Sequence, residues 1–258
     1  MRIAILQMIA VPGDVAANLK QIEAAAEKAA AGGAALLIAP ELATTGYGAG
    51  DVIRDLAETA EGPQVQALTA IARKHGLALV AGFAERDGEE VFNSLVMAEA
   101  SETPSIYRKT HLYGDYERAL FTPGEADSAL RNFQGLKLGF LICYDVEFPE
   151  NVRRLARAGA DVVLVPTALP EGSFARFIAT RVVPVRAFEN QVFVVYADHG
   201  GGDANFSYAG LSRAVGPDGQ SLAASDTDTA ELLFADIDPG AFDESRRANT
   251  YLRDLRKR

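Results

Sequence analysis

Gly139-Phe140-Leu141-Ile142-Cys143-Tyr144-Asp145-Val146-Glu147-Phe148-Pro149-Glu150 reads as a buried strand that runs straight into the start of a helix. Leu136 and Leu138 extend the apolar run upstream, and Pro149 suits a first helical position with acids in the first turn. The only cysteine of the chain falls where the strand gives out. Open α/β sheets bind ligands at the carboxyl ends of their strands, so Cys143 stands where a nucleophile would. The plainer reading is a core residue, because a free cysteine packs as a small hydrophobe and is among the most buried residue types. Other parts of the chain have to decide between the two.

Downstream of this stretch, the helix from Pro149 to about Ala158 turns Val152, Leu155 and Ala156 to one side. Val162–Val165 is a further strand, ending in Pro166-Thr167. Phe174–Asn190 reads as a helix that Pro184 should kink or break. Val192–Tyr196 is again a strand, and Gly200-Gly201-Gly202 a turn. Ala209–Val215, a Gly216-Pro217-Asp218-Gly219 turn and Leu232–Ile237 read as antiparallel strands, with a last helix opening at Asp238-Pro239. Upstream, Ile3–Met8 is a strand, and Asp14 caps a helix through Asn18, Ile22, Ala25 and Ala29 that Gly32-Gly33 closes. Leu36-Leu37-Ile38-Ala39 is a short strand delivering Pro40-Glu41. The glycines of Thr44–Gly50 resemble part of a dinucleotide fingerprint but lack the helix opening that motif needs. A helix from Gln64 to Lys74 stops at His75-Gly76, and Leu77–Phe83 and Asn93–Ala98 form a hairpin around Asp87-Gly88. Ile106–Leu112 then leads into a polar connection, Gly114 to Gly124. Strand–helix alternation with antiparallel additions predicts one α/β sandwich domain over 1–258, with helices covering the sheets.

Composition narrows the function. At 258 residues and 48% apolar content the chain can bury a full core. A net charge of −10 argues against a nucleic-acid partner. The basic ending Arg253–Arg258 is short and interrupted by Asp254, which suits a solvated tail. One cysteine excludes an internal disulfide framework, and no Cys-x-x-Cys or His-Glu-x-x-His spacing suggests a metal site. The start Arg2-Ile3-Ala4-Ile5-Leu6 lacks a signal-peptide core, and no apolar run reaches membrane-spanning length. The expectation is a cytoplasmic protein without a membrane partner.

A thiol attacks as thiolate, so Cys143 needs a base or a neighbouring cation. Of the three histidines, His75 fits a helix end and His199, opening the glycine-rich turn, is expected to be exposed. His111 remains, two positions from Lys109. The alternative is a carboxylate with a lysine. Glu41 follows an apolar strand, where burial would raise its pKa toward the range useful for a general base, and Lys109 would stabilise thiolate and oxyanion. Each also has a bland reading, Glu41 as a strand-end cap and Lys109 as a surface lysine beside Arg108. Spacing leaves both pairings open.

Pro40-Glu41 after an apolar strand, Tyr107-Arg108-Lys109-Thr110-His111-Leu112, and Cys143-Tyr144-Asp145-Val146-Glu147-Phe148-Pro149-Glu150 together resemble the nitrilase superfamily of carbon–nitrogen hydrolases. The likeness covers essentially the whole chain, including Gly210-Leu211-Ser212 and the Gly-Pro-Asp-Gly turn. It implies a four-layer αββα sandwich that pairs with a second subunit across its helices. It also implies a Glu41–Lys109–Cys143 site, with the family's second glutamate at Glu117 and His111 structural. In its mechanism Cys143 attacks the carbonyl, Glu41 moves the protons, Lys109 and the Tyr144 N–H hold the oxyanion, and no metal or organic cofactor is used. Nitrile-hydrolysing members resemble one another in a tryptophan after the cysteine; Tyr144 stands there instead, which favours a small-molecule amide. The chain looks most like the small aliphatic amidases, such as 5-aminopentanamidase and R-stereoselective amidase. It departs from them at Val165-Pro166-Thr167-Ala168-Leu169-Pro170, where they often have asparagine; Thr167 and Ala168 are expected to border the acyl pocket. Tyr144 and Tyr47 are candidate pocket rings. Glu147 either meets a substrate amine or, as the preferred reading, complements the dipole of the helix beginning near Pro149. Hydrolysis of N-carbamoyl compounds is the runner-up, and a catalytically silent oligomeric module is a third reading, which the intact Glu41, Lys109, Glu117 and Cys143 set argues against.

Overall fold

The computed structural model describes residues 1–126 and 128–256. Two six-stranded mixed sheets carry the chain. The first is formed by β1 (Arg2–Gln7), β2 (Leu36–Ile38), β3 (Ala78–Asp87), β4 (Glu90–Ala98), β5 (Ser105–Arg108) and, from the far end of the chain, β12 (Glu231–Asp236), in the order β12-β1-β2-β3-β4-β5. The second holds β6 (Arg131–Phe133), β7 (Leu136–Phe140), β8 (Val162–Pro166), β9 (Phe193–Ala197), β10 (Arg213–Val215) and β11 (Ser221–Ala224), in the order β11-β10-β9-β8-β7-β6. Each sheet has three parallel strands at its centre, β1-β2-β3 and β7-β8-β9, with antiparallel strands outside them. The helices are α1 (Val15–Ala31), the short α2 (Val52–Leu56), α3 (Pro63–His75), α4 (Gly114–Leu120), α5 (Pro149–Ala158), α6 (Ala175–Phe177) and α7 (Val183–Asn190), with α8 (Asp243–Ala248) and α9 (Tyr251–Asp254) near the end. None of the helices in the described residues is long and apolar enough to cross a membrane.

Strand alternation fixes the layers. In the first sheet, Ile3, Ile5, Leu36, Ile38 and Val80 point to the second sheet, while Ala4, Leu6, Leu37, Leu79 and Ala81 point to α1 and α3. Those helices answer with stripes at helical spacing, Ile22, Ala25, Ala26 and Ala29 on α1 and Leu68, Ile71 and Ala72 on α3. In the second sheet Gly139 lies against Leu155 of α5, so Leu138 and Phe140 face inward, and the register carries Val162 and Leu164 of β8 and Phe193 and Val195 of β9 with them. The order of layers is helices, sheet, sheet, helices: an αββα sandwich.

Several expectations change in detail. The polar connection 114–124 contains α4. The strand expected over Ala209–Val215 shrinks to β10, β11 was not foreseen, and β10 and β12 belong to different sheets. Pro184 sits inside a continuous helical stretch, and the irregularity precedes it: residues Ile178–Val182 form a π-turn in which the Val183 N–H bonds the carbonyl of Ile178, five residues back. Proline has no N–H to offer to Thr180, so the ladder widens ahead of it. Of the basic ending, Lys257 and Arg258 lie outside the described residues.

Candidate active site

The parallel strands of both sheets end at the same rim. β2 delivers Glu41, β5 delivers Lys109, β7 delivers Cys143, β8 delivers Thr167-Ala168 and β9 delivers Asp198-His199. The sheets are tied together there: the Glu41 N–H donates to Thr167 O at 3.3 Å, and the Gly200 N–H to Met8 O at 2.9 Å. Gly82 on β3 makes the approach of Glu41 possible, because a Cβ at that position would collide with the Glu41–Leu42 backbone. Leu42 (φ 47°) and Cys143 (φ 44°) both hold left-handed backbone conformations. Such strain in non-glycine residues persists only where the surroundings impose it, and it gathers at functional sites.

Lys109 Nζ lies 2.6 Å from Glu41 Oε1 and 2.7 Å from Glu117 Oε1, and all three side chains are buried. Asn93 Nδ2 donates to Glu41 Oε1 at 2.7 Å, and the Tyr47 hydroxyl donates to Glu117 Oε1 at 2.9 Å. The Tyr113 N–H donates to Glu117 Oε2 at 2.8 Å. Glu41 Oε2 is buried without a hydrogen-bond partner among the described residues. Burial pushes the Glu41 carboxyl up to about 7, Lys109 opposing and Glu117 adding to the rise. Burial works against the Lys109 ammonium, but Glu117 and Glu41 together hold its pKa well above the usual lysine range. Burial, then Glu41, raises the Cys143 thiol; Lys109 and the Ala168 N–H turned toward it pull the other way. The resting arrangement is therefore a protonated thiol beside an ammonium and a carboxylate that titrates near neutrality. It can shuttle a proton at neutral pH and stabilise developing negative charge.

Cys143–Glu147 forms one 3₁₀ run between β7 and α5, and Asp145 pins it. Its carboxylate accepts from Tyr107 Oη (2.9 Å), Thr110 Oγ1 (2.7 Å), the His111 N–H (2.9 Å) and the Ile142 N–H (3.2 Å). The His111 ring lies on Phe148, 4.0 Å between centroids, with Nδ1 2.9 Å from Asp145 Oδ1. Burial alone would raise the Asp145 pKa, but His111, Lys109 and Thr110 hold it below the usual aspartate range. Asp145 thus joins the strand end carrying Lys109 to the turn carrying Cys143.

A cavity of about 470 Å³ opens onto Cys143, with Tyr144, Glu147, Tyr113, Leu169 and Pro170 among its walls. Tyr47 is buried behind Glu117 and does not line it. Thr167 does not line it either; its hydroxyl turns to Val165 O at 3.1 Å, and Ala168 faces the thiol through its backbone N–H alone. His199, expected to be exposed, is buried: Nε2 lies 2.7 Å from Glu41 O, and burial lowers its pKa to about 4. The turn after it is tied down by its backbone, Gly200 N–H donating to Met8 O at 2.9 Å and Gly201 N–H to Asp228 O at 2.6 Å, which the glycines alone do not indicate. Asn93 and Asp145 were not singled out from the sequence. The polar pair Asn93-Ser94 inside an otherwise apolar strand was the available signal for the first.

This fold and rim identify the class. The carbon-nitrogen hydrolase family matches residues 2–247, and the chain belongs to that family. Among its relatives, the hydrolase in pqqF 5′ region of Pseudomonas protegens is 42% identical, over 99% of this chain and 89% of its own length. An (R)-stereoselective amidase of Pseudomonas sp is 35% identical, over 99% and 92%. Among solved structures, a mutant of the amidase from Nesterenkonia sp. AN1, showing the result of Michael addition of acrylamide at its active site cysteine, is similar with a TM-score of 0.88 and 36% identity, over 99% of this chain and 96% of that one. That amidase is a nitrilase-superfamily protein, and the sandwich described above is the fold of that superfamily.

Proposed function

We propose that this enzyme is a cysteine-dependent amidase converting a small aliphatic primary amide to its carboxylic acid and ammonia through a thioester. The observation that carries the reading is the sealed Glu41–Lys109–Glu117 cluster beside the one thiol that opens to a cavity. Glu41 takes the thiol proton as Cys143 Sγ bonds the carbonyl carbon. The carbonyl π electrons move to oxygen, where Lys109 and the Tyr144 N–H stabilise them. The tetrahedral species collapses, the C–N bond breaks, and Glu41 returns its proton to the departing nitrogen as ammonia. Water then attacks the thioester while Glu41 takes its proton; the C–S bond breaks and the proton goes back to sulfur. Glu117 fixes Lys109 by accepting a second of its ammonium hydrogens, beside the one that Glu41 accepts. The cycle takes no metal or organic cofactor. Amidase relatives and Tyr144 in place of tryptophan support an amide over a nitrile. We also place the enzyme in the cytoplasm, where a thiol nucleophile stays reduced, and as a homodimer.

The test is ammonia release from a panel of small amides, nitriles and N-carbamoyl compounds, beside Cys143→Ala. Release from an amide that vanishes in the variant is the expected result. Release from N-carbamoyl compounds alone, with carbon dioxide, would reassign the substrate. Silence throughout, with Cys143 inert to alkylation in the native protein, would remove the enzymatic reading.

A further inference from the structure

Glu147 is the feature of the cavity that amide hydrolysis leaves unexplained. It sits at the end of the 3₁₀ run that begins with Cys143, and both residues reach the same cavity. At about 2 Å of rise per residue their Cα atoms stand roughly 8 Å apart, the length of a few methylenes. Among the described residues no donor bonds the Glu147 carboxylate. Arg186, the nearest guanidinium to act on it, is committed elsewhere: Nε and Nη2 donate to the carbonyls of Val146 (3.0 Å) and Glu147 (2.6 Å), and Nη1 lies 3.1 Å from Glu189 Oε1. Lys109 is already held between Glu41 and Glu117. The other charged residue on the cavity wall is Glu171, so no cation among the described residues lines it, while Tyr113 and Tyr144 present rings packed edge to face, 5.2 Å between centroids. Burial raises the Glu147 pKa against the pull of Lys109 and Arg186, the mark of a carboxylate short of a partner.

Resting on the amidase reading, we propose that Glu147 selects substrates: this cavity takes an amide whose acyl chain ends in an ammonium group, which pairs with the Glu147 carboxylate beside the face of an aromatic ring. An ammonium there gains a charge-assisted hydrogen bond and a cation–π contact. A neutral chain of the same length leaves the carboxylate half desolvated and unpaired, and an acyl chain ending in a carboxylate meets like charge. The helix-dipole role preferred from sequence does not account for a side chain turned into the cavity that holds the nucleophile.

The test compares isosteres that differ only in the terminal group: β-alaninamide with butanamide, and 5-aminopentanamide with hexanamide. In the wild-type enzyme kcat/KM is expected to favour the amine of at least one pair by about tenfold to a hundredfold, mostly through KM, as for other hydrogen bonds to charged groups. Glu147→Gln should collapse that ratio toward one. A second readout needs no variant: butylammonium should inhibit competitively, more strongly than 1-pentanol, and less so as salt rises. Equal rates within both pairs, or a ratio that survives Glu147→Gln, would overturn the proposal while leaving the amidase reading intact. If no amide of either kind is hydrolysed, the amidase reading itself fails; butylammonium protection of Cys143 from iodoacetamide then still reads the amine site, and its absence overturns the proposal.

Discussion

At the scale of single residues, the proposed chemistry depends on how burial and charge divide protons between Glu41, Lys109 and Cys143. In that reaction Glu41 would act as a base only when ionised, and its pKa is raised to about 7. Below that pH the fraction of ionised carboxylate falls tenfold per unit, so kcat/KM should rise with pH through an apparent pKa near 7 and then level off. A pH profile on any hydrolysed amide measures it; an acid limb near 4.5 would mean that Glu41 is not the group titrating. Glu41→Gln cannot accept the proton and should lose about 10²–10⁴-fold in kcat, the usual share of a general base, and should lose that limb from whatever rate remains. Thiol burial and base burial work together here. The raised thiol pKa favours the protonated form of Cys143 at rest, which in the proposed reaction calls on Glu41 to take the proton as sulfur attacks.

At the scale of elements, the site depends on two junctions whose importance sequence conveyed unequally. The turn from β7 into α5 was legible because strand, cysteine and Pro149 follow one another without interruption. The junction of β5 with α4 was not: Gly114–Leu120 is short and mostly polar, with Glu117 and Leu120 its buried residues, so it read as a connection. His199 misled for a related reason, since burial there comes from a bond to Glu41, 158 residues away, and no local pattern carries that. Asp145 spans both junctions, and Asp145→Ala would strand the donors of Tyr107, Thr110, His111 and Ile142. A loss of about 3 kcal/mol in denaturant unfolding is expected, the order for a buried charged acceptor. Its pKa is lower in the folded state than in the unfolded chain. The stability it contributes is therefore present above the unfolded value near 4 and is lost as pH falls through the folded one; Asp145→Ala should flatten the acid side of the stability curve. Gly82→Ala acts elsewhere, where β3 passes the end of β2. Its added methyl would press on the Glu41–Leu42 backbone and should cost about 1–3 kcal/mol together with a large part of kcat.

At the scale of the whole molecule, the sheets follow from patterns visible in the chain: period-two strands faced by helices with period-3.6 stripes, in alternation. What the patterns could not supply is which sheet each late strand joins, since β10 and β12 are both antiparallel to the central strands they meet and no local feature tells those partners apart. The outer surface raises the remaining issue. Phe174, Phe177 and Val185 are 72%, 60% and 49% exposed, gathered on or just before the helical stretch 175–190 that packs over the second sheet. Large apolar side chains grouped on one helical face mark an interaction surface more often than a solvated one. A second copy of the chain docking there would cover them and would also close one side of the cavity that Phe174 and Phe177 line. Sedimentation velocity should therefore give a dimer at micromolar concentration, and Phe177→Glu with Val185→Glu should shift it toward monomer without loss of helical circular dichroism. If the dimer also shapes the cavity, KM of the double variant should rise with dilution in step with dissociation. A dimer untouched by both substitutions would put the interface elsewhere, and a wild-type monomer would leave the two phenylalanines as the open lip of the substrate cavity.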